Sequence, residues 1–209
     1  MRLYSYWRSS SSYRVRIALN LKGLAYETQA VDLLQHEQHS PAYAALNPAL
    51  GLPSLVLDDG TVLTQSMAIL EWLEEVHPTP PLLPEDPVLR AKVRAAALVI
   101  ASEVHPVNNL RVLTRLKAMG HDQAETVAWM KHWMVRGFDA YAALTSPVQA
   151  FSFGPTPSLA DLCLVPQLYN ARRWGVDLAP YPQLAAIEAR CLALPAFGAA
   201  RPEAQPDAP

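Results

Sequence analysis

The chain is short of the features that usually announce a function. It has two cysteines, Cys163 and Cys191, far apart and in no CxxC arrangement. A disulfide between them stays open on sequence, but isolated cysteines of this kind are most often buried thiols. Cys163, among Leu162, Leu164 and Val165, reads as core. The six histidines form no metal grouping. His36 and His39 share an i, i+3 spacing, but they lie in a polar stretch and read as solvated. There is no charge excess either: Lys and Arg total 17 against 19 Asp and Glu, with no block of one sign. That balance argues against a nucleic-acid partner. No apolar run is long enough to cross a bilayer. The chain opens directly on strand-like residues, which leaves no room for a signal peptide. The expectation is a cytoplasmic protein with neither membrane nor nucleic acid as partner. With 209 residues, 51% of them hydrophobic, the chain can bury a core as one large or two small domains.

The pattern divides in two. Residues 1–80 alternate strand and helix signals: a strand over Leu3–Trp7, a helix over Tyr13–Leu21 closed by Gly23, and a strand over Tyr26–Leu33. A short helix over Pro41–Leu46 comes next. Ser54–Leu57 and Thr61–Leu63 then flank Asp58-Asp59-Gly60, a strong hairpin signal, and a helix covers Gln65–Val76. The βαβ opening requires parallel strands with a right-handed crossover. Pro78–Pro87 holds five prolines in ten residues and reads as a stiff connector, with the linker proper at 81–87. Residues 88–209 are almost purely helical: Val88–Met119, Asp122–Leu144 with Trp129 and Trp133 on one face, Ser158–Trp174 and Tyr181–Leu192. A loose Ala/Pro-rich tail is expected after Ala200. Pro166 predicts a kink. Ser158-Leu159-Ala160-Asp161 has the form of a capping box, so Asp161→Ala is expected to cost on the order of 1 kcal/mol.

The most informative stretch is Arg8-Ser9-Ser10-Ser11-Ser12-Tyr13-Arg14-Val15-Arg16-Ile17-Ala18-Leu19. It gathers hydroxyls and backbone N–H groups at the start of an amphipathic helix, where the macrodipole favours an anion, and its three arginines add positive potential. On residues alone it is either an anion site or an ordinary Ser-rich N-cap. Trp7-Arg8-Ser9-Ser10-x-Ser12-x-Arg14-Val15-Arg16-Ile17-Ala18-Leu19 resembles the signature of the zeta class of glutathione transferases, a class that includes maleylacetoacetate and maleylpyruvate isomerases. Many of its members carry Cys where this chain has Ser11. The resemblance spans nearly the whole chain. It implies a thioredoxin-like α/β N-terminal domain and an all-α C-terminal helical bundle, with glutathione as cofactor and a homodimeric assembly. Without a CxxC, the thioredoxin-like half is not expected to act as a disulfide oxidoreductase.

The same resemblance assigns residues. Ser9 matches the serine that stabilises the glutathione thiolate, with Ser10 and Ser11 as supporting donors. Leu52-Pro53 matches a cis bond whose backbone faces the cysteinyl part; otherwise it is a loop proline before a strand. Gln65-Ser66 matches the pair that holds the γ-glutamyl carboxylate, although a plain N-cap is the other reading. Gln38 matches a contact to the far end of the tripeptide, or else is a solvated loop residue. In His105-Pro106-Val107-Asn108-Asn109-Leu110-Arg111, Asn108 matches a glutathione contact and Arg111 a substrate arginine; a solvated helix face is the alternative. Arg8 and Arg173 complete the candidates for binding a dicarboxylate substrate, since arginine offers bidentate, always-charged contacts. Arg172 reads as a local ion pair. The implied reaction is thiolate addition to a maleyl keto-diacid, rotation about the bond made single, and elimination to the fumaryl isomer, within aromatic-compound breakdown. Conjugation or dehalogenation of small electrophiles is one rival, and a non-catalytic binding module of this fold is another.

Overall fold

Strand β1 (Arg2–Ser5) turns Leu3 and Ser5 inward and leads through a short turn into helix α1 (Ser10–Leu21). The computed structural model describes residues 1–145 and 148–209. Strand β2 (Glu27–Ala30) runs parallel to β1, as a crossover through α1 requires. On the other side of β1, β3 (Ser54–Val56) and β4 (Val62–Thr64) form an antiparallel hairpin, giving the order β2-β1-β3-β4. Its turn is Asp58-Asp59-Gly60, with Gly60 at φ +88°, a conformation that a residue with a Cβ adopts only under strain. Helix α2 (Pro41–Leu46), capped by Ser40, precedes the hairpin, and α3 (Ser66–Val76) follows it.

Helix α1 is the centre of this unit. Tyr13, Val15, Ile17, Ala18 and Leu19 are buried, but so are Arg14 and Arg16, which corrects the expectation of an amphipathic helix. The reason is that α1 packs both on α3 and on a late helix, α9 (Pro195–Ala200). A buried guanidinium needs acceptors. Arg16 finds them in Ser5 Oγ (3.0 Å), Tyr6 O (3.4 Å), Trp7 O (2.9 Å) and Ala200 O (3.0 Å). Burial pushes its pKa down to about 10, which leaves it charged at neutral pH.

The division into units differs from the expected 88–209 helical domain. Residues 1–81 and 192–209 form one compact unit, and residues 82–191 form the other. Nor is the end of the chain loose: Pro202 and Gln205 are buried, and a 3-10 turn covers Pro202–Ala204. Composition hid this, because Ala and Pro pack well once carbonyls such as that of Ala200 meet a buried donor.

Among the described residues, the regular structure of the second unit is helical. Helix α4 (Pro87–Leu98) starts on Pro87 with Asp86 as its cap, so the connector ends one residue earlier than expected. Leu82 and Leu83 within the connector are buried, and the Leu82 carbonyl accepts from Leu159 N–H at 2.8 Å. The polar stretch His105–Arg111 interrupts the helical region 88–119, as its composition suggests: a π-helical stretch (Val99–Val104) and a 3-10 turn (Pro106–Asn108) precede α5 (Leu110–Ala118). Three helices follow: α6 (Gln123–Leu144), α7 (Leu159–Arg173) and α8 (Pro182–Leu192). Pro166 lies inside α7. The capping box at Ser158 is present, but Asp161 does more than cap. Its buried carboxylate accepts from both the N–H and the hydroxyl of Ser158 and of Ser152 at 2.7–3.0 Å. Because the Ser152 proton goes to Asp161, Tyr141 must be the donor in its 2.7 Å contact with Ser152.

Candidate active site

The register of the sheet places most of the candidate residues at one end. Ser5 at the end of β1 pairs with Ala30 at the end of β2, and Tyr4 pairs with Ser54 at the start of β3. Ser54 in turn pairs with Thr64 at the end of β4. The segments carrying Ser9–Ser11, Gln38, Leu52-Pro53 and Gln65-Ser66 therefore all leave the sheet on this side.

Ser9 is the N-cap of α1. Its Oγ accepts from Ser12 N–H at 3.2 Å, and its own N–H donates to Tyr6 O at 2.9 Å. Acceptance at Oγ leaves the hydroxyl proton available to donate, which is what an anion such as a thiolate requires. The cap reading and the anion-site reading are thus compatible. Ser9 and Ser10 are partly exposed, whereas Ser11 is buried.

The Leu52–Pro53 bond is cis, and Pro53 is buried at the mouth of β3. The preceding loop is held by a network that sequence reading missed. Tyr43 Oη and Asn47 Nδ2 both donate to Gly51 O, and both also meet Ser54 Oγ. A second cis bond, Thr79–Pro80, sits in the connector.

Gln65 immediately precedes α3 at φ +67°, a left-handed conformation that a non-glycine residue adopts at a cost of about 1–3 kcal/mol. Ser66 opens the helix, and Arg14 donates to its Oγ at 3.3 Å. A buried cation thus stands behind a helix N-terminus, a combination that favours a carboxylate. Arg14 looked like one of several arginines adding general potential; only the packing of α1 on α3 shows where its charge acts. Gln38 is buried, which corrects the solvated alternative, and its Oε1 has no hydrogen-bond partner. His36 and His39 are exposed.

In the helical unit, Asn108 ends the 3-10 turn. Its Nδ2 lies 3.5 Å from Met130 O, and its Oδ1 is buried without a partner. Arg111 is exposed in the first turn of α5. Arg172 pairs with buried Glu188 at 2.5 Å, as expected for a local ion pair. Its neighbour Arg173 is exposed and stacks over Trp174, 4.7 Å from the ring centroid. In the first unit, Arg8 stacks over Trp7 in the same way at 4.8 Å. A guanidinium over an aromatic face gains a cation–π attraction that restrains its position.

Other features take little part. Cys163 and Cys191 are both buried thiols, and burial raises the pKa of Cys191. No cluster of His, Cys, Asp and Glu suited to a metal exists among the described residues. No helix among them is long and apolar enough to cross a membrane. An open groove beside Met1, Arg2 and Glu27 lies at the opposite end of the strands, where Met1 pairs with Asp58 and Arg2 with Glu27.

Residues 8–76 match the family model for the N-terminal domain of glutathione S-transferases. The chain is 51% identical to a maleylpyruvate isomerase of a Ralstonia species over 99% of both proteins. A solved maleylpyruvate isomerase, described as a bacterial zeta-class glutathione S-transferase, is 50% identical, with a TM-score of 0.97 over the whole of both chains. A maleylacetoacetate isomerase from Anaeromyxobacter dehalogenans, solved with glutathione in its active site, is also 50% identical; the TM-score is 0.90 over 100% of this chain and 97% of that one. A thioredoxin-like unit with a serine-capped α1 and a cis-proline, followed by a helical unit, defines a glutathione transferase, and the chain belongs to that family. Its relatives within the family are the zeta-class isomerases.

Proposed function

We propose that this protein is a glutathione-dependent cis–trans isomerase that converts a maleyl keto-diacid, maleylacetoacetate or maleylpyruvate, into its fumaryl isomer. The observation that carries this reading is the convergence, at one end of a single sheet, of the Ser9 cap, the cis-Pro53 loop and the Ser66–Arg14 pair. The chain that holds them is half identical from end to end to enzymes bearing those names.

The residues fit the tripeptide. Ser66, the N-terminus of α3 and the Arg14 charge suit the γ-glutamyl carboxylate. The backbone around cis-Pro53 suits the cysteinyl peptide. The unpartnered buried Oε1 of Gln38 suits a peptide N–H toward the other end, and Asn108 offers a second amide. Glutathione, when bound, supplies the sulfur nucleophile and is regenerated at the end of each turnover. The chain's part is to raise the thiolate fraction, through the Ser9 hydroxyl and the first turn of α1 with Ser10 and Ser11 in support. Arg8, Arg111 and Arg173 hold the two substrate carboxylates and stabilise negative charge that develops on the keto oxygen. We place the protein in the cytoplasm as a homodimer working in aromatic-compound breakdown.

The test follows the absorbance of maleylacetoacetate and of maleylpyruvate with catalytic glutathione, beside a glutathione-free control. Rapid loss of one, with glutathione conserved, identifies both reaction and substrate. Consumption of one glutathione per turnover marks a conjugating enzyme instead. Tight glutathione binding without turnover of either diacid would point to halo-acids, and failure to bind glutathione would return the protein to the binding-module reading.

A further inference from the structure

The C-terminal segment of the first unit has a contact that reaches the turn carrying Ser9. Asp207 Oδ2 accepts from the Trp7 backbone N–H at 2.8 Å, across almost the whole length of the chain. The carbonyl of the same residue accepts from Arg16 at 2.9 Å. Trp7 is thus held at its N–H from the C-terminal segment and at its C=O from α1. Ser9 N–H donates to Tyr6 O, so Tyr6–Ser9 is one hydrogen-bonded turn, and fixing Trp7 inside it fixes Ser9.

The segment that delivers Asp207 is itself anchored. Ala200 O accepts from Arg16, and Gln205 is buried with its Nε2 donating to Ala199 O (3.0 Å) and Arg201 O (2.8 Å). The other carboxylate oxygen of Asp207 is buried and makes no hydrogen bond, so the bond to Trp7 is the hydrogen bond that holds the side chain, beside the attraction of the buried Arg16 charge.

We propose that residues 201–209 form a strap and that Asp207 is a positioning residue for Ser9, fixing its hydroxyl for the sulfur of glutathione by clamping the Trp7 N–H. This rests on the reading of Ser9 as the thiolate donor. A backbone N–H at the edge of a turn is the part of such a loop most prone to trade its partner for water. A carboxylate there is a stronger acceptor than water or a carbonyl.

The experiment uses full-length protein and three variants: Asp207→Ala, Asp207→Asn, and a chain ending at Pro206. Asn keeps an acceptor for the N–H and removes the charge. In ligand-free protein, Asp207→Ala and the shortened chain should lose hydrogen-exchange protection at the Trp7 amide, while Asp207→Asn keeps most of it. With glutathione bound, the first two should show less ultraviolet thiolate absorbance and a kcat lower by roughly ten- to a hundredfold, with KM for the diacid little changed. Asp207→Asn, which keeps a weaker acceptor, should fall between Asp207→Ala and the unaltered protein in both. In a Ser9→Ala background the effect of Asp207→Ala on kcat should vanish, since it acts through Ser9. Unchanged thiolate absorbance and kcat in a folded Asp207→Ala protein, with only a lower Tm, would reduce the strap to a structural tie. Full activity in Ser9→Ala alone would instead overturn the reading of Ser9, a separate failure.

Discussion

Ser66 and Asp161 are both polar residues at helix starts, and they show how differently one local pattern is used. Ser66 receives Arg14 on its hydroxyl and remains at the mouth of the site. Ser66→Ala should therefore weaken glutathione binding while leaving the fold alone. Losing one hydrogen bond to a carboxylate, with the backbone N–H still in place, corresponds to a KM for glutathione roughly tenfold higher. Initial rates at graded glutathione would show this, with kcat at saturation unchanged; an unaltered KM would remove Ser66 from the carboxylate site. Asp161 is buried with donors from Ser152 and Ser158 all around it. Burial raises its pKa, and those donors oppose the rise. Asp161→Ala strands several buried donors at once, so the cost should be about 3 kcal/mol or more, above the ~1 kcal/mol of a simple cap. Urea denaturation reads that difference directly, and a loss within 1 kcal/mol would mean that water replaces the carboxylate.

Among the elements, those that depend on local chemistry were legible in the sequence, and those that depend on packing were not. The βαβ opening, the Asp58-Asp59-Gly60 hairpin and the cap of α7 announce themselves through turn residues and hydrophobic spacing, and the structure has all three. Ser9, Pro53 and Ser66 were legible as two helix starts and a loop proline, while the glutathione roles proposed for them came from the family resemblance. Arg14, Arg16 and Asp207 were not legible: each acts on a group brought near only by the packing of α1. The π-helical stretch at Val99–Val104 was equally hidden, since it inserts one residue into a run whose composition is simply helical. It packs against α6 at Gly137, where an added Cβ would lie 2.1 Å from Val104 Cγ2. Val104 is buried and cannot swing clear. Gly137→Ala should consequently destabilise the protein by about 1–3 kcal/mol despite alanine's better helix propensity. Thermal denaturation against a Gly198→Ala control, where no atom lies within 4 Å, separates overpacking from propensity. An unchanged or raised Tm for Gly137→Ala would show that α6 and the π-helical stretch slide apart at little cost.

At the scale of the molecule, the first unit is assembled from both ends of the chain, with residues 192–209 joining 1–81. The closure is not a surface patch. Helix α9 packs on α1, the Arg16 guanidinium takes the Ala200 carbonyl, Asn20 Nδ2 takes the Ala196 carbonyl, and Asp207 takes the Trp7 N–H. A fragment of residues 1–81 keeps every strand and every residue of that unit proposed to contact glutathione, yet it exposes one face of α1. It also leaves Arg16 without one of its acceptors. Such a fragment should be largely unfolded. The same fragment joined through a Gly/Ser linker to residues 192–209 should regain cooperative thermal unfolding, and should gain stability with added glutathione as expected for a ligand that binds only the native state. Circular dichroism melts of the two fragments decide the matter. If residues 1–81 alone melt cooperatively and respond to glutathione, the C-terminal segment is an accessory. If only the joined form does, the unit that holds the cofactor depends on the last residues of the chain, and residues 82–191 are in effect an insertion into it.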